Sequence, residues 1–112
     1  MKKNFGKELR EARKKAGKTM LDLADYLGVS VVFISDVERG NRAPLRTDRI
    51  LRAAQFLNAD AKMLLQAAAE QRGAFELDAE VSNRAREVGA ALMRGWKDLD
   101  EKQLEQIAKI LK

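Results

Sequence analysis

The residues with the clearest chemical potential are the basic ones, because their surplus lies in one half of the chain. Residues 1–46 contain 11 Lys/Arg and 6 Asp/Glu, whereas residues 47–112 contain 11 of each, so the entire net charge of +5 belongs to the first half. A cationic half of this kind favours a polyanion partner, most often a nucleic acid. A basic surface that only aids solubility would have the same composition, so charge alone does not decide.

The residue inventory argues against catalysis. The chain of 112 residues has no histidine and no cysteine, which excludes Ser-His and Cys-His pairs and metal sites built on imidazole or thiolate. Paired carboxylates remain, but the acidic residues of the first half stand in short charged segments where a solvated role is the default. We therefore expect no catalytic residue, no metal, no cofactor and no enzymatic activity.

The overall composition predicts a globular protein. Hydrophobic residues make up 46% of the chain and charged residues 35%, and the length allows one modest core. No apolar run approaches the roughly 18 residues that a membrane span needs. The absence of cysteine fits a reducing compartment, so we expect a cytoplasmic protein with no membrane partner.

The elements that must position the basic residues are helices, because strand-like alternation is absent and the chain has only one proline. Apolar residues at helical spacing predict seven helices. The predicted N-caps are Thr19 with Asp22 as its capping-box partner, Ser30, Thr47 and Asp60. The predicted helix ends are Gly17, Gly28, Gly40 and Gly73.

These helices predict an all-α fold in two parts. Residues 1–73 form a five-helix domain, and residues 74–112 form a two-helix extension that starts with a connector over residues 74–78. The sixth helix is predicted from apolar positions that run from Val81 to Trp96. The seventh is predicted to begin at residues 98–100.

Residues 20–39 have the pattern of two short helices that cross at a steep angle. Ala24 is small enough for the helices to approach, and Gly28 can adopt the left-handed conformation that turns the chain within about three residues. The inward-facing residues are Leu23, Leu27, Val29, Ile34 and Val37. An ordinary antiparallel helix pair also uses a short glycine turn, but it does not require alanine at 24 together with glycine at 28 and apolar residues at 34 and 37. The segment is therefore predicted to be a helix-turn-helix that reads duplex DNA.

Residues 5–70 resemble the XRE, or lambda-repressor and Cro-like, helix-turn-helix domains. The resemblance is carried by LREAR at residues 9–13, LADYLGVS at 23–30, ISDVERGNR at 34–42, and Pro44. It implies a five-helix lambda-repressor-like domain that binds double-stranded DNA, usually as a two-fold dimer on a near-palindromic operator.

By this resemblance the helix that begins near Ser30 enters the major groove. The candidate base-reading residues are Val31, Val32, Ser35 and Asp36. Valine methyl groups can pack on the methyl group of thymine, and a carboxylate can accept a hydrogen bond from N4 of cytosine. The alternative is that Val31 and Val32 are core residues. Phe33 is assigned either to packing under the following loop or to contact with a sugar-phosphate.

Basic residues at and beyond the end of this helix are candidates for phosphate contacts. The full candidate set is Arg39, Asn41, Arg42, Arg46, Lys18 and Met20. A solvated basic loop is the alternative for the first four. Met20 stands where many family members have glutamine, so only its backbone N–H is expected to bind phosphate. Arg13 and Glu38 occupy positions that form a buried or half-buried ion pair in similar repressors, which implies a structural role.

The last part of the chain, residues 78–112, is too short for a stable core of its own. Its apolar face is predicted to pack on the first domain, on a second copy or on another protein. The candidate interface residues are Val88, Leu92, Trp96, Leu104, Ile107 and Leu111. A homodimer is favoured, because one reading helix buries too little surface for operator-level affinity and two-fold proteins read palindromes.

Three functions remain open at this point. The first is a transcriptional repressor of a phage, a prophage or a mobile element, which occupies a promoter without a cofactor. The second is an antitoxin-like regulator, whose C-terminal helices bind a partner protein while the first half represses the shared promoter. The third is an interaction module that has lost DNA binding, an alternative that the apolar pair Val31 and Val32 keeps open.

Overall fold

The computed structural model describes residues 4–74, 77 and 80–111. Within these residues the chain is helical, without strands, as the all-α prediction requires. The helices are α1 (Phe5–Lys15), α2 (Met20–Leu27), α3 (Val31–Glu38), α4 (Thr47–Leu57), α5 (Ala61–Arg72), α6 (Asn83–Gly95), a 3-10 turn (Trp96–Asp98) and α7 (Glu101–Ile110). None of the described helices combines the length and the apolar character that a membrane crossing requires. The residues separate into two compact units, one within Met1–Asp78 and one within Ala79–Lys112.

Local hydrogen bonds explain where α2 and α3 begin and end. The Thr19 hydroxyl accepts from the Asp22 backbone N–H at 3.0 Å, and Asp22 accepts from the Thr19 backbone N–H at 2.9 Å, so the predicted capping box forms. Gly28 ends α2 with φ of 72°, in the left-handed region that glycine adopts without a steric penalty. The Ser30 hydroxyl then caps α3 by accepting from the Phe33 backbone N–H. Only three residues therefore separate α2 from α3.

The core of the first unit is a single apolar cluster shared by α1 to α5. The small Ala24 and the inward residues of α2 and α3 are buried in this cluster, so the two helices pack closely against each other. The largest fully buried side chains are Phe5, Leu9, Leu23, Ile34, Leu45, Ile50, Leu64 and Val37. Val29, predicted to point inward, is partly buried against this cluster.

Hydrogen bonds attach the end of α5 to two distant segments of the first unit. The Phe5 backbone N–H, at the start of α1, donates to Oε1 of Gln71 at 2.9 Å. A guanidinium N–H of Arg72 donates to the Leu45 carbonyl at 2.7 Å. These bonds attach the end of α5 to the start of α1 and to the loop before α4, and they satisfy backbone groups that a helix end or a loop leaves without partners.

Several predicted helix boundaries are wrong. Thr47 is the first residue of α4 rather than its cap; the N-cap is Arg46, whose side chain makes no capping bond. Val81 precedes α6, because the Ser82 hydroxyl caps that helix by accepting from the Ala85 backbone N–H. Trp96 lies beyond α6, in the 3-10 turn. The predicted connector at residues 74–78 lies mostly outside the described residues.

The seventh helix begins later than predicted, at Glu101. Asp100 is its N-cap and forms a second capping box, in which its carboxylate accepts from the Gln103 backbone N–H at 2.8 Å. Gln103 in turn accepts from the Asp100 backbone N–H at 3.0 Å. This reciprocal pair satisfies two N–H groups at one place and so defines the helix start.

The capping box of α2 makes the stability of that helix depend on pH. The hydrogen bond from the Thr19 backbone N–H, followed by the contact with the Thr19 hydroxyl, lowers the pKa of Asp22. The ionised carboxylate therefore stabilises the folded state above the ordinary aspartate pKa, and this stabilisation disappears as pH falls through the lowered value. We expect Asp22→Asn to reduce the free energy of unfolding at pH 7 and to have little effect below the lowered pKa.

Urea unfolding followed by circular dichroism at pH 7 and at about pH 2 measures this difference. Asp25→Asn, the same charge change on the exposed side of α2, is the matched control. A loss of stability in Asp22→Asn that is equal at both pH values would contradict the proposed role of the carboxylate.

Candidate nucleic-acid interface

The outward side of α3 carries the four residues predicted to read bases. Val31 is 38% exposed and Val32 is 67% exposed, while Ser35 and Asp36 are half-buried. The side of this helix that faces the core carries Ile34 and Val37 instead. The alternative in which Val31 and Val32 are core residues is therefore wrong. The first turn of α3 presents methyl groups to solvent, which is the chemistry that a thymine methyl group would meet.

Asp36 is paired with Arg39 at the end of α3. Nη2 of Arg39 lies 3.0 Å from Oδ1 of Asp36, and the two side chains are 63% and 26% exposed, respectively. An exposed pair of this kind contributes at most about 1 kcal/mol. The pair joins a candidate base-reading residue to a candidate phosphate-contacting residue. Substitution of either residue therefore leaves the other without its ion-pair partner.

The predicted phosphate-contacting residues lie on two segments. Four of them are exposed at or beyond the end of α3, namely Arg39, Asn41, Arg42 and Arg46. Lys18 and Met20 flank the start of α2, where both are half-buried. The Met20 side chain packs against the core, so its possible contribution is the backbone N–H at the N-terminus of α2. That terminus carries the partial positive charge that attracts phosphate.

Phe33 packs against the core from the first turn of α3 and is partly buried there. The guanidinium carbon of Arg42 lies 4.7 Å from the centroid of its ring. The guanidinium carbon of Arg49, on α4, lies 5.6 Å from the same centroid. Both distances are typical of cation–π contacts. Sequence analysis did not select Arg49; its only local signal is the spacing of three residues from Arg46.

A second aromatic group joins α2 to α4. The rings of Tyr26 and Phe56 are stacked, with centroids 4.4 Å apart. Nζ of Lys18 lies 5.1 Å from the Phe56 centroid. Arg52 lies near the Tyr26 ring and also donates to the Tyr26 carbonyl at 2.9 Å. Lys18 and Arg52 therefore already make intramolecular contacts, and any DNA contact by Lys18 would compete with its position on Phe56.

Arg13 and Glu38 form a buried ion pair behind α3. Nε of Arg13 donates to Oε2 of Glu38 at 2.7 Å, and Nη2 donates to Oε1 at 3.0 Å. Nη1 of Arg13 donates to the Lys18 carbonyl at 2.9 Å. The hydrogen bond to Glu38 raises the pKa of Arg13. One guanidinium thus connects α1, the turn before α2 and the end of α3, and it fixes the helix that carries the candidate readers.

The second unit has an apolar face that its own helices do not cover. Among its described residues, none in α6, the 3-10 turn or α7 is buried. Val88 is 59% exposed and Trp96 is 50% exposed. Of the other predicted interface residues, Leu111 is exposed, whereas three are half-buried, namely Leu92, Leu104 and Ile107.

Comparisons with known proteins agree with the geometry of the first unit. A family model described as helix-turn-helix matches residues 9–64, which is half of the chain. A chain in the solved structure of the SinR protein/SinI protein complex is similar at a TM-score of 0.51 and 21% sequence identity; the alignment covers 96% of this chain and 93% of that one. At this identity the similarity supports the fold alone. No curated protein matches the sequence significantly.

Proposed function

The chain belongs to the lambda-repressor-like helix-turn-helix family of DNA-binding transcriptional regulators, and we propose that it is a sequence-specific repressor that binds a near-palindromic operator as a homodimer. The observation that carries the proposal is the outward side of α3. Two exposed valines lie in its first turn, and the loop that follows the helix is rich in arginine. The assignment to a phage, a prophage or a mobile element depends on the sequence resemblance alone.

In this proposal the first turns of α3 lie in the major groove and read base edges. Val31 and Val32 contact thymine methyl groups, and Asp36 accepts from N4 of cytosine. Ser35 can donate or accept and therefore discriminates less. The exposure of both valines supports their role, since neither belongs to the buried core of the first unit.

Phosphate contacts by the loop after α3 provide the sequence-independent part of the affinity. Four exposed residues at and beyond the end of α3 flank the proposed reading face, namely Arg39, Asn41, Arg42 and Arg46. Each phosphate that is neutralised releases a condensed counterion and makes binding more sensitive to salt. Lys18 and the backbone N–H of Met20 would bind phosphate at the start of α2.

Two substitutions separate base reading from phosphate binding. We expect Arg42→Ala to weaken binding to all duplexes and to lower the slope of log K against log salt by about one. We expect Asp36→Ala to change the preference at one base pair, by roughly 1–3 kcal/mol. Fluorescence anisotropy with a panel of single-base-pair variants measures both effects. Equal loss of specific and non-specific binding in Asp36→Ala would contradict its reading role.

Dimerisation is assigned in this proposal to residues 74–112, and DNA binding to residues 1–73. The support is the exposed apolar face of the second unit, which includes Val88 and Trp96. A second copy that covered this face would bring two reading helices to one operator. Sedimentation equilibrium of the full chain tests this, with Trp96→Ala expected to shift the mass toward the monomer and exposed Lys97→Ala as control.

A second candidate function uses the same face for a different protein. An antitoxin-like regulator would bind a partner through its C-terminal helices and repress the shared promoter through the first unit. The similar solved structure is a complex of two differently named proteins, which is the observation that keeps a protein partner for this face as a candidate. Co-purification of the chain in stoichiometric complex with an unrelated protein from its natural host would support it.

A further inference from the structure

The ring of Phe33 contacts two guanidinium groups that come from different segments. Arg42 belongs to the loop after α3 and Arg49 to α4, and their guanidinium carbons lie 4.7 Å and 5.6 Å from the ring centroid. The two cations are therefore at most about 10 Å apart. The two positive charges repel each other, and the contact of each guanidinium with the ring offsets part of this repulsion.

Neither Arg42 nor Arg49 forms an ion pair within the described part of the chain. Ion pairs there include those that join Arg13 to Glu38, Arg39 to Asp36 and Lys109 to Glu105. Other arginines of α4 and α5 are occupied by backbone oxygens: Arg52 donates to the Tyr26 carbonyl and Arg72 to the Leu45 carbonyl. Arg42 and Arg49 thus differ from these neighbours, because each contacts an aromatic ring and neither forms a hydrogen bond or an ion pair within the described residues.

The position of Phe33 connects these two arginines with the proposed reading face. Phe33 lies in the first turn of α3, where its backbone N–H is held by the Ser30 hydroxyl at 3.0 Å. Its neighbour Val32 is the most exposed valine of that helix. A DNA backbone that flanks a groove occupied by Val32 would pass beside the ring and its two guanidinium groups.

From this arrangement we propose that Phe33, Arg42 and Arg49 form one composite site for consecutive phosphates of a DNA strand, with Phe33 as the positioning residue and Arg49 as a phosphate ligand. This inference depends on the proposed function and deepens it. An anionic backbone removes the repulsion between the two guanidinium groups. The planar donor fork of arginine fits phosphate oxygens in a bidentate manner, and a ring that fixes two such forks lowers the entropy lost on binding.

The test measures binding of the full chain to a mixed-sequence 30-base-pair duplex over a range of salt concentrations. Phosphate contacts do not depend on sequence, so no operator is required. Arg49→Gln is expected to weaken binding about tenfold and to lower the slope of log K against log salt by about 0.9. Arg52→Gln, the same change on the same helix, is the matched control, and it is expected to leave the slope nearly unchanged because Arg52 is held at Tyr26.

The role of the ring is tested by a double-mutant cycle with Phe33→Leu, which keeps an apolar side chain against the core. Phe33→Leu is expected to weaken binding several-fold in the wild-type background and much less in the Arg49→Gln background. Circular dichroism at the binding temperature establishes that the variants are folded. This coupling in DNA affinity would not arise if Phe33 only stabilised the core.

The outcomes separate this site from the function on which it depends. Wild-type affinity and slope in Arg49→Gln would overturn the composite site, and additive effects of Phe33→Leu and Arg49→Gln would overturn the positioning role of the ring. In either case the proposed DNA-binding function would stand. If the unsubstituted chain bound no duplex at low salt, both the proposed function and the composite site would be overturned.

Discussion

Gly6→Ala is expected to destabilise the first unit by about 3 kcal/mol, although alanine is intrinsically the better helix former. A methyl group built on Gly6 would lie 2.6 Å from the Glu38 carbonyl oxygen and would also overlap the Val37 carbonyl oxygen. These atoms are backbone, so no side-chain rotation can relieve the overlap. α1 and α3 would have to move apart, and the core between them would lose contacts. Thermal or urea unfolding measures the loss.

The matched control for this prediction is Gly95→Ala. Gly95 is also helical, but a methyl group there meets no heavy atom within 4 Å, so we expect no loss of stability. Equal effects of the two substitutions would show that helix propensity alone decides them. An unchanged midpoint for Gly6→Ala would contradict the close approach of α1 to the end of α3.

Glu38→Ala is expected to cost about 3–5 kcal/mol of the free energy of unfolding. It leaves the Arg13 guanidinium buried, with two N–H donors that no longer have an acceptor; only the bond from Nη1 to the Lys18 carbonyl remains. The cost arises from this buried charge rather than from the attraction that is lost. The variant should also bind DNA more weakly, because the end of α3 loses its anchor to α1.

Two comparisons make this prediction specific to burial. The double substitution Arg13→Met with Glu38→Leu removes both charges and is expected to recover most of the stability, because apolar side chains of similar volume replace a buried pair with little cost. Arg39→Ala removes one partner of the exposed pair with Asp36, and it is expected to lower the free energy of unfolding by at most about 1 kcal/mol. A double variant as unstable as Glu38→Ala would contradict this explanation and would point to lost packing instead.

Much of the fold was predictable because short-range chemistry determines it. The hydroxyls of Thr19 and Ser30 accept N–H groups three residues along the chain, and Gly28 adopts a conformation that other residues avoid. Each of these signals involves neighbouring residues and therefore appears directly in the sequence. The same argument explains the error at Thr47: a threonine at a helix start can be either the cap or the first helical residue.

The contacts between helices that sequence analysis missed join segments that are distant in the sequence. Sequence analysis did not select Gly6, because the carbonyl oxygens of α3 that exclude a side chain there lie about thirty positions away. Arg49 looked like an ordinary surface residue, since its ring contact is on α3. Periodicity identifies the buried face of a helix, but it does not identify which side chains of two exposed faces meet.

The central claim is that the exposed side of α3 reads DNA sequence as one half of a dimer. The most direct test is selection of bound sites from a pool of random duplexes with the purified full chain at near-physiological salt. The proposal predicts an inverted repeat whose half-sites lie about one helical turn, roughly 10 base pairs, apart. If no motif were recovered and binding were only weak and salt-sensitive, the proposal would be contradicted. The basic half would then bind the phosphate backbone without sequence specificity.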